Sequence, residues 1–333
     1  MTKASSISLG EHRIIEIIQN NLTILPEIAV GFGDDISAIK IDDTNVAVLK
    51  TDMLVAKTDL PKQMSLKQAA RKAVIMNISD FASKGVKPIA VLVALGLPNG
   101  LTEKDVQAIA EGLDAGAQEY GAYVVGGDTN EAQDLIISVM LYGISEKSKL
   151  MLRTGAQPGD ILAVTGFFGN QSAGLQLLLK DCKAPEELRK TLIDSVFMPK
   201  ARLAEGLALG ESGAVTASMD SSDGLAWSLH ELARLGNVGF ILESIPVAPE
   251  TVEFAEINSL DSSELSLYGG EEYELVLTIK PDKWESARTA VKKAGGQLIH
   301  IGKATEEKKV LVNINGKKQQ VQPRGWEHFK SQL

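Results

Sequence analysis

The sequence predicts an α/β protein of two domains, 1–148 and 149–333, on three observations. Short β-branched runs alternate with amphipathic helical stretches along the whole chain. A polar stretch at 145–149 interrupts that alternation near the middle. The 333 residues with 44% hydrophobic content are enough for more than one core.

Ser8-x-x-Glu11 reads as a capping box opening a helix whose apolar face is Ile14, Ile15, Ile17, Ile18 and Leu22. Strands follow at 36–41 and 46–51, the second an apolar run leading into Thr51-Asp52 where it would leave the core. Ser65-x-x-Gln68 caps the next helix, which turns Ala69, Ala70, Ala73, Val74, Ile78, Phe81 and Ala82 inward and stops at Gly85. A strand at 89–95, a helix at 102–120 and strands at 123–125 and 135–142 complete the first domain. The second opens on the turn Gln157-Pro158-Gly159-Asp160, then a strand at 161–165. Gly166-Phe167-Phe168-Gly169 turns into a helix at 172–180, followed by helices at 186–194 and 202–209, a strand at 214–219 and a helix at 225–235. Strand, helix, strand and strand at 273–279, 282–294, 297–301 and 310–314 close the chain.

A net charge of -9 argues against nucleic acid or an anionic membrane as partner, but admits a phosphorylated ligand if divalent ions bridge acid to phosphate. The one cysteine, Cys182, offers neither a disulfide framework nor a thiolate metal site, which fits a reducing cytoplasm. Charged residues interrupt 1–19, so it does not read as a signal peptide, and the longest apolar run, 89–97, is too short to span a bilayer. A soluble, cytoplasmic protein is expected.

Acids recur where strands end or a polar turn begins: Asp34, Asp35, Asp52, Asp128, Asp220 and Asp223. Asp80, flanked by Ile78, Phe81 and Ala82, joins them from a helix, whereas Asn77 reads as part of a solvated polar face. Were these carboxylates to converge, mutual repulsion would protonate or splay them unless cations intervene, and hard oxygen donors select magnesium or manganese. Ser222 or Asp223 as an N-cap explains one of the pair and leaves Asp220 unexplained. No Gly-x-x-x-x-Gly-Lys-Ser/Thr phosphate loop occurs, and Gly31-Phe32-Gly33 lacks the third glycine of a dinucleotide fingerprint. The histidines are scattered, and His230 within its amphipathic helix reads as structural.

Taken in order, Gly33-Asp34-Asp35, Thr51-Asp52-Met53-Leu54-Val55, Asn77-Ile78-Ser79-Asp80, Gly126-Gly127-Asp128-Thr129, Ser222-Asp223-Gly224-Leu225, Gly269-Gly270-Glu271-Glu272-Tyr273-Glu274-Leu275 and Gly325-Trp326-x-x-Phe329 resemble the thiamine-monophosphate kinases. Those enzymes belong with the aminoimidazole ribonucleotide synthetase-like ATP-binding proteins. The resemblance implies a two-domain fold with mixed sheets, a homodimer formed through the N-terminal sheets, and ATP-dependent conversion of thiamine monophosphate to thiamine diphosphate with several magnesium ions. Carried over by position, Asp35, Thr51, Asp52, Asp80, Asp128, Asp220 and Asp223 would be metal ligands, and Gly127, Asp128, Arg153 and Ser222 nucleotide contacts. Asp52, Asp128 and Asp223 would carry the catalysis, while Glu271 and Trp326 would hold the cationic thiamine by charge and cation-π stacking.

The chain departs from the family at several places. Asp59 stands where a histidine usually touches the acceptor, and Lys50 replaces a small hydroxyl residue in the metal-binding set, its charge standing in for part of that of an ion. Ser221 replaces an aliphatic residue and Glu272 an aspartate. Two other readings stay open: an ATP-dependent ligase or synthetase of the same superfamily, and a non-catalytic divalent-metal-binding scaffold. The kinase chemistry suits a site rich in Asp and poor in His. Its acceptor is a phosphate monoester with a second pKa of about 6, already deprotonated at neutral pH, so no general base is needed.

Overall fold

The computed structural model describes residues 10–314 and 316–327, so Ser8 and Phe329 of the motifs above lie outside the described residues. The first sheet contains β1 (Ser37–Lys40), β2 (Asn45–Val55), β3 (Pro88–Leu97), β4 (Tyr123–Glu131) and β5 (Ile136–Glu146), in the order β1-β2-β5-β3-β4. All its pairs are antiparallel except β3 with β4. With it go α1 (Glu11–Gln19), the single turn α2 (Ala56–Asp59), α3 (Leu66–Ser83) and α4 (Glu103–Glu119). Ser65 and Thr102 each form the full capping box, with Gln68 and Asp105.

The second half builds α5 (Asn170–Leu179), α6 (Glu186–Phe197), α7 (Leu203–Ser212), α8 (Leu225–Gly236), α9 (Pro249–Asn258), α10 (Ser262–Tyr268) and α11 (Trp284–Lys293). Its sheet contains β6 (Ile161–Val164), β7 (Val215–Asp220), β8 (Gly239–Leu242), β9 (Leu275–Ile279), β10 (Ile299–Thr305), β11 (Val310–Ile314) and β12 (Lys317–Gln320). The strand order is β12-β11-β8-β10-β6-β9-β7, parallel only between β8 and β11.

Helix α3 is the element both halves share. Its Ile75, Ile78 and Phe81 lie in one apolar cluster with Val48 and Leu141 of the first sheet and Leu209 and Leu277 of the second half. At roughly 1.5–3 kcal/mol for each fully buried large apolar side chain, this contact fixes the relation of the two sheets. Every residue from Ala69 to Ser83 except Met76 is buried. The apolar stripe predicted one inward face, whereas the helix is enclosed on all sides, so Arg71, Lys72, Asn77, Ser79, Asp80 and Ser83 are buried too.

Two further differences bear on the site. Strand β2 continues to Val55 because β5 supplies partners as far as Ile136, so Thr51 and Asp52 lie inside the strand and not at its end. Likewise β4 runs through Gly126, Gly127, Asp128 and Thr129, because β3 pairs with it as far as Leu97 opposite Glu131. Strands β8 and β12 and helices α9 and α10 were not anticipated. Pro249 in the first turn of α9 is a start signal that was available.

Candidate active site

The C-terminal half of α3, the middle of β2, the end of β7 and the Asp34-Asp35 turn before β1 meet at one place. Here the carboxylates of Asp35, Asp80 and Asp220, all buried, each offer an oxygen within 4.8 Å of the others. The sequence expectation that these acids converge is met for this trio. Asp52 adjoins it through Lys50, whose Nζ lies 3.1 Å from Asp52 Oδ1 and 2.9 Å from Asp80 Oδ2.

The surrounding side chains set how this trio is held. Asn77 is fully buried, contrary to a solvated polar face: its Oδ1 accepts the Asp52 backbone N–H at 2.9 Å and its Nδ2 donates to the Ala73 carbonyl. Ser79 Oγ donates to Asp220 Oδ2 at 2.6 Å, and Ser83 Oγ to Asp35 Oδ2 at 3.0 Å. Arg153 pairs with Asp35, donating from Nε at 2.7 Å and from Nη2, while its backbone N–H donates to Asp34 Oδ2. Lys84 Nζ lies 2.8 Å from Asp34 Oδ1 and 2.6 Å from Asp35 Oδ2.

Protonation divides along the same lines. Burial alone would raise the Asp35 carboxyl, but Lys84 and Arg153 outweigh it and hold it below the usual carboxylate range. Burial also works against charge on Lys50, and the neighbouring Asp52 and Asp80 overcome it, keeping the ammonium protonated. Asp80 stays raised by burial despite Lys50, with Asp220 and Asp52 adding to the rise. Burial, then the Asp35 charge, lifts Asp220 to about 6, and burial with the Glu11 and Asp220 charges lifts Asp223 to about 7. Asp220 and Asp223 are raised with no ion pair among the described residues, and Asp80 is raised although it has one with Lys50, as crowded hard oxygen donors able to take a divalent cation should be.

A second group of predicted residues assembles around the loop after β7. Asp223 is not an N-cap, since Gly224 holds that place in α8 and no side chain bonds the helix start. The Ser222 carbonyl accepts the Glu271 N–H at 2.6 Å, and the Asp223 carbonyl accepts the Trp326 N–H at 3.0 Å. Gly325 is required there, because a Cβ would stand 2.4 Å from the Asp223 carbonyl oxygen. Glu271 and Tyr273 hold left-handed φ values of 67° and 54°, a cost for residues that are not glycine. Lys72, itself buried, binds Glu271 Oε1 at 2.6 Å, and Glu271 Oε2 is buried without a hydrogen-bond partner. Trp326 is 42% exposed beside this loop.

Other predicted residues lie apart. Gly127 and Asp128 are on the exposed edge strand β4, which reaches Asp52 only across β3 and β5 through the row Asp52, Val139, Val93, Gly127. Three interstrand spacings make that about 14 Å. A Cβ on Gly127 would meet the Val93 carbonyl at 1.8 Å, so close strand approach explains that glycine here. Thr51 is exposed and its Oγ1 donates to the Val139 carbonyl at 3.0 Å. Asp59 Oδ2 accepts the Val55 N–H at 2.7 Å, closing the turn into α2, and its carbonyl is 3.5 Å from Lys72 Nζ. His230 is structural as expected, its Nε2 2.9 Å from the Val321 carbonyl. Sequence reasoning missed Lys72, Ser79, Ser83 and Lys84. A lysine set among Ala70, Ala73 and Val74 on an apolar helix was the visible signal for Lys72.

The paired mixed sheets and the acidic pocket between them define a class. Residues 33–145 match the family of AIR synthase related proteins, N-terminal domain, and residues 157–315 the corresponding C-terminal domain family. Within that class the chain belongs to the thiamine-monophosphate kinase family. It is 34% identical to the thiamine-monophosphate kinase of Nitrosopumilus maritimus over 322 residues, 97% of this chain and 99% of that one. It is 36% identical to the Pyrococcus horikoshii protein of the same name over 302 residues, 90% and 91% of the two chains. Among solved structures, AaThiL complexed with AMPPCP and TMP superposes with a TM-score of 0.86 at 28% identity, covering 98% of this chain and all of that one. The thiamine monophosphate kinase of Aquifex aeolicus matches with a TM-score of 0.78 at 28% identity, covering 92% and 97%.

Proposed function

We propose that this protein transfers the γ-phosphate of ATP to thiamine monophosphate, giving thiamine diphosphate and ADP, with magnesium. The observation that carries this reading is the meeting of the Asp35, Asp80 and Asp220 carboxylates beside the Ser222-Asp223 loop, against which Glu271 and Trp326 are seated. In the reaction the bond from the β,γ-bridging oxygen to the γ-phosphorus breaks, and one forms to an oxygen of the acceptor phosphate.

The trio fits magnesium, being all hard oxygen donors in one buried cluster in which Asp220 has no ion pair among the described residues, and Asp52 and Asp223 extend it. Magnesium held there would supply the positive charge that screens the two phosphate-bearing substrates from each other and from these acids. The remaining work belongs to the chain. Arg153, fixed on Asp35 but 22% exposed, offers a guanidinium edge to the triphosphate. Ser222 lines the nucleotide's path, while Gly127 and Asp128, about 14 Å from Asp52 across the sheet, and Thr51, whose hydroxyl is turned onto the Val139 carbonyl, are left out of this metal-binding set. Glu271, held by Lys72, and Trp326 take the cationic acceptor, with Asp59 next to Lys72, its carbonyl 3.5 Å from Nζ. No base is required, because the acceptor oxygen is already ionised at neutral pH.

We take the chain to act as a cytoplasmic homodimer with its domain boundary at 148/149. The exposed apolar side chains Met53, Leu92, Tyr123 and Val125 on the first sheet support the dimer, and among the described residues no helix is long and apolar enough to cross a membrane. Incubation with ATP and magnesium against either thiamine monophosphate or formylglycinamidine ribonucleotide tests the reading. Thiamine diphosphate formed one for one with ADP supports it, and turnover of the amide substrate alone refutes it.

A further inference from the structure

Six carboxylates gather at this site, those of Asp34, Asp35, Asp52, Asp80, Asp220 and Asp223, and the chain itself brings cations to four of them. Lys84 is fully buried, with Nζ 2.8 Å from Asp34 Oδ1, 2.6 Å from Asp35 Oδ2 and 2.7 Å from the Ser218 carbonyl, so all three of its protons are used. Arg153 covers the other oxygen of Asp35. Lys50 Nζ lies between Asp52 Oδ1 and Asp80 Oδ2, near 3 Å from both. The ammonium fills the space in which Asp52 and Asp80 would otherwise hold a divalent ion.

We propose that Lys50 is a resident cation taking the place of one divalent ion between Asp52 and Asp80. Lys84 does the same between Asp34 and Asp35, so divalent ions are confined to the side of the cluster formed by Asp80, Asp220 and Asp223. The inference rests on the magnesium-dependent reading of the site. An ammonium delivers one positive charge where magnesium delivers two, but it is held by the fold and costs nothing to recruit. This chain should therefore keep its acidic cluster assembled at low magnesium.

Counting bound Mn2+ per chain by electron paramagnetic resonance, with AMPPCP present, tests this. Lys50→Ser is expected to bind one more Mn2+ than the natural protein, and Lys50→Gln, which keeps most of the side-chain length, the same. In EDTA both variants should melt at lower temperature than the natural protein, and Mn2+ should raise their melting temperature by more. Equal Mn2+ counts and equal responses to EDTA would overturn the inference while phosphoryl transfer by the natural protein left the kinase reading standing. A natural protein that neither binds Mn2+ with AMPPCP nor makes thiamine diphosphate would instead overturn the underlying reading.

Discussion

Lys72 Nζ stands 2.6 Å from Glu271 Oε1 across 199 residues of sequence, and it ties the central helix to the loop proposed to receive the acceptor. Glu271 sits at a left-handed φ, so without that ion pair the loop has reason to relax. Removing one partner of such a pair costs about 3 kcal/mol, the low end for buried pairs because the Glu271 side chain keeps 27% of its exposure. Lys72→Met should lower the urea midpoint accordingly and raise KM for thiamine monophosphate more than for ATP. Equal rises for the two substrates would mean that Lys72 does not act through Glu271.

Asn77 carries Asp52. Its side-chain carbonyl is the acceptor for the Asp52 backbone N–H, and Asn77→Ala leaves that donor without its partner at a cost of roughly 1–3 kcal/mol. A displacement of Asp52 by even a fraction of an ångström should lower kcat more than tenfold. Thermal melts and steady-state kinetics on the same preparation separate the two effects; unchanged kcat with lowered stability would confine Asn77 to the fold.

Glu272 predicts a pH dependence. Burial pushes its carboxyl from the ordinary 4.5 up to about 8, against hydrogen bonds from the Gly169, Gln171 and Ser172 N–H groups. The folded state therefore holds the proton more tightly than the unfolded one. The resulting stability is fully present below about 4.5 and is lost as pH rises through about 8. Glu272→Gln should flatten the melting temperature against pH over that window. A slope identical to that of the natural protein would show that another group titrates there.

Trp326 is placed by its backbone bond to the Asp223 carbonyl, with its ring 42% exposed. Cation-π contact with a thiazolium is worth about 1–2 kcal/mol, so Trp326→Ala should raise KM for thiamine monophosphate about fivefold to thirtyfold and leave KM for ATP nearly unchanged. A proportionate loss for both substrates would move Trp326 out of the acceptor pocket.

The acids were legible in the sequence because carboxylates standing beside apolar runs are conspicuous, and Asp35, Asp80 and Asp220 do meet. Their cations were not. Lys72 lies on, and Lys84 caps, a helix enclosed on every side, where a lysine reads as solvated surface until the packing is known. The same enclosure hid Asn77, whose role depends on a strand 25 residues earlier. Asp128 shows the opposite limit: its motif is plain, yet pairing with β3 leaves it on an exposed edge, a distance that no local pattern encodes. Helix α9 was missed because Val252, Phe254 and Ile257 are interspersed with Glu253 and Glu256 and form no helical stripe, and strand β8 because four residues are too few for periodicity to stand out.

The most direct measurement follows the γ-phosphate by phosphorus nuclear magnetic resonance in the natural protein and in Asp80→Asn, with circular dichroism confirming the fold of both. Asp80 is the carboxylate common to the trio and to Lys50, and its neutral isostere keeps the shape while removing the charge. The account predicts that the natural protein converts thiamine monophosphate to the diphosphate at the rate ADP appears. Asp80→Asn should retain less than about 1% of that rate, the scale of losing one electrostatic group at a phosphoryl-transfer centre. Undiminished transfer by a folded Asp80→Asn protein would contradict it.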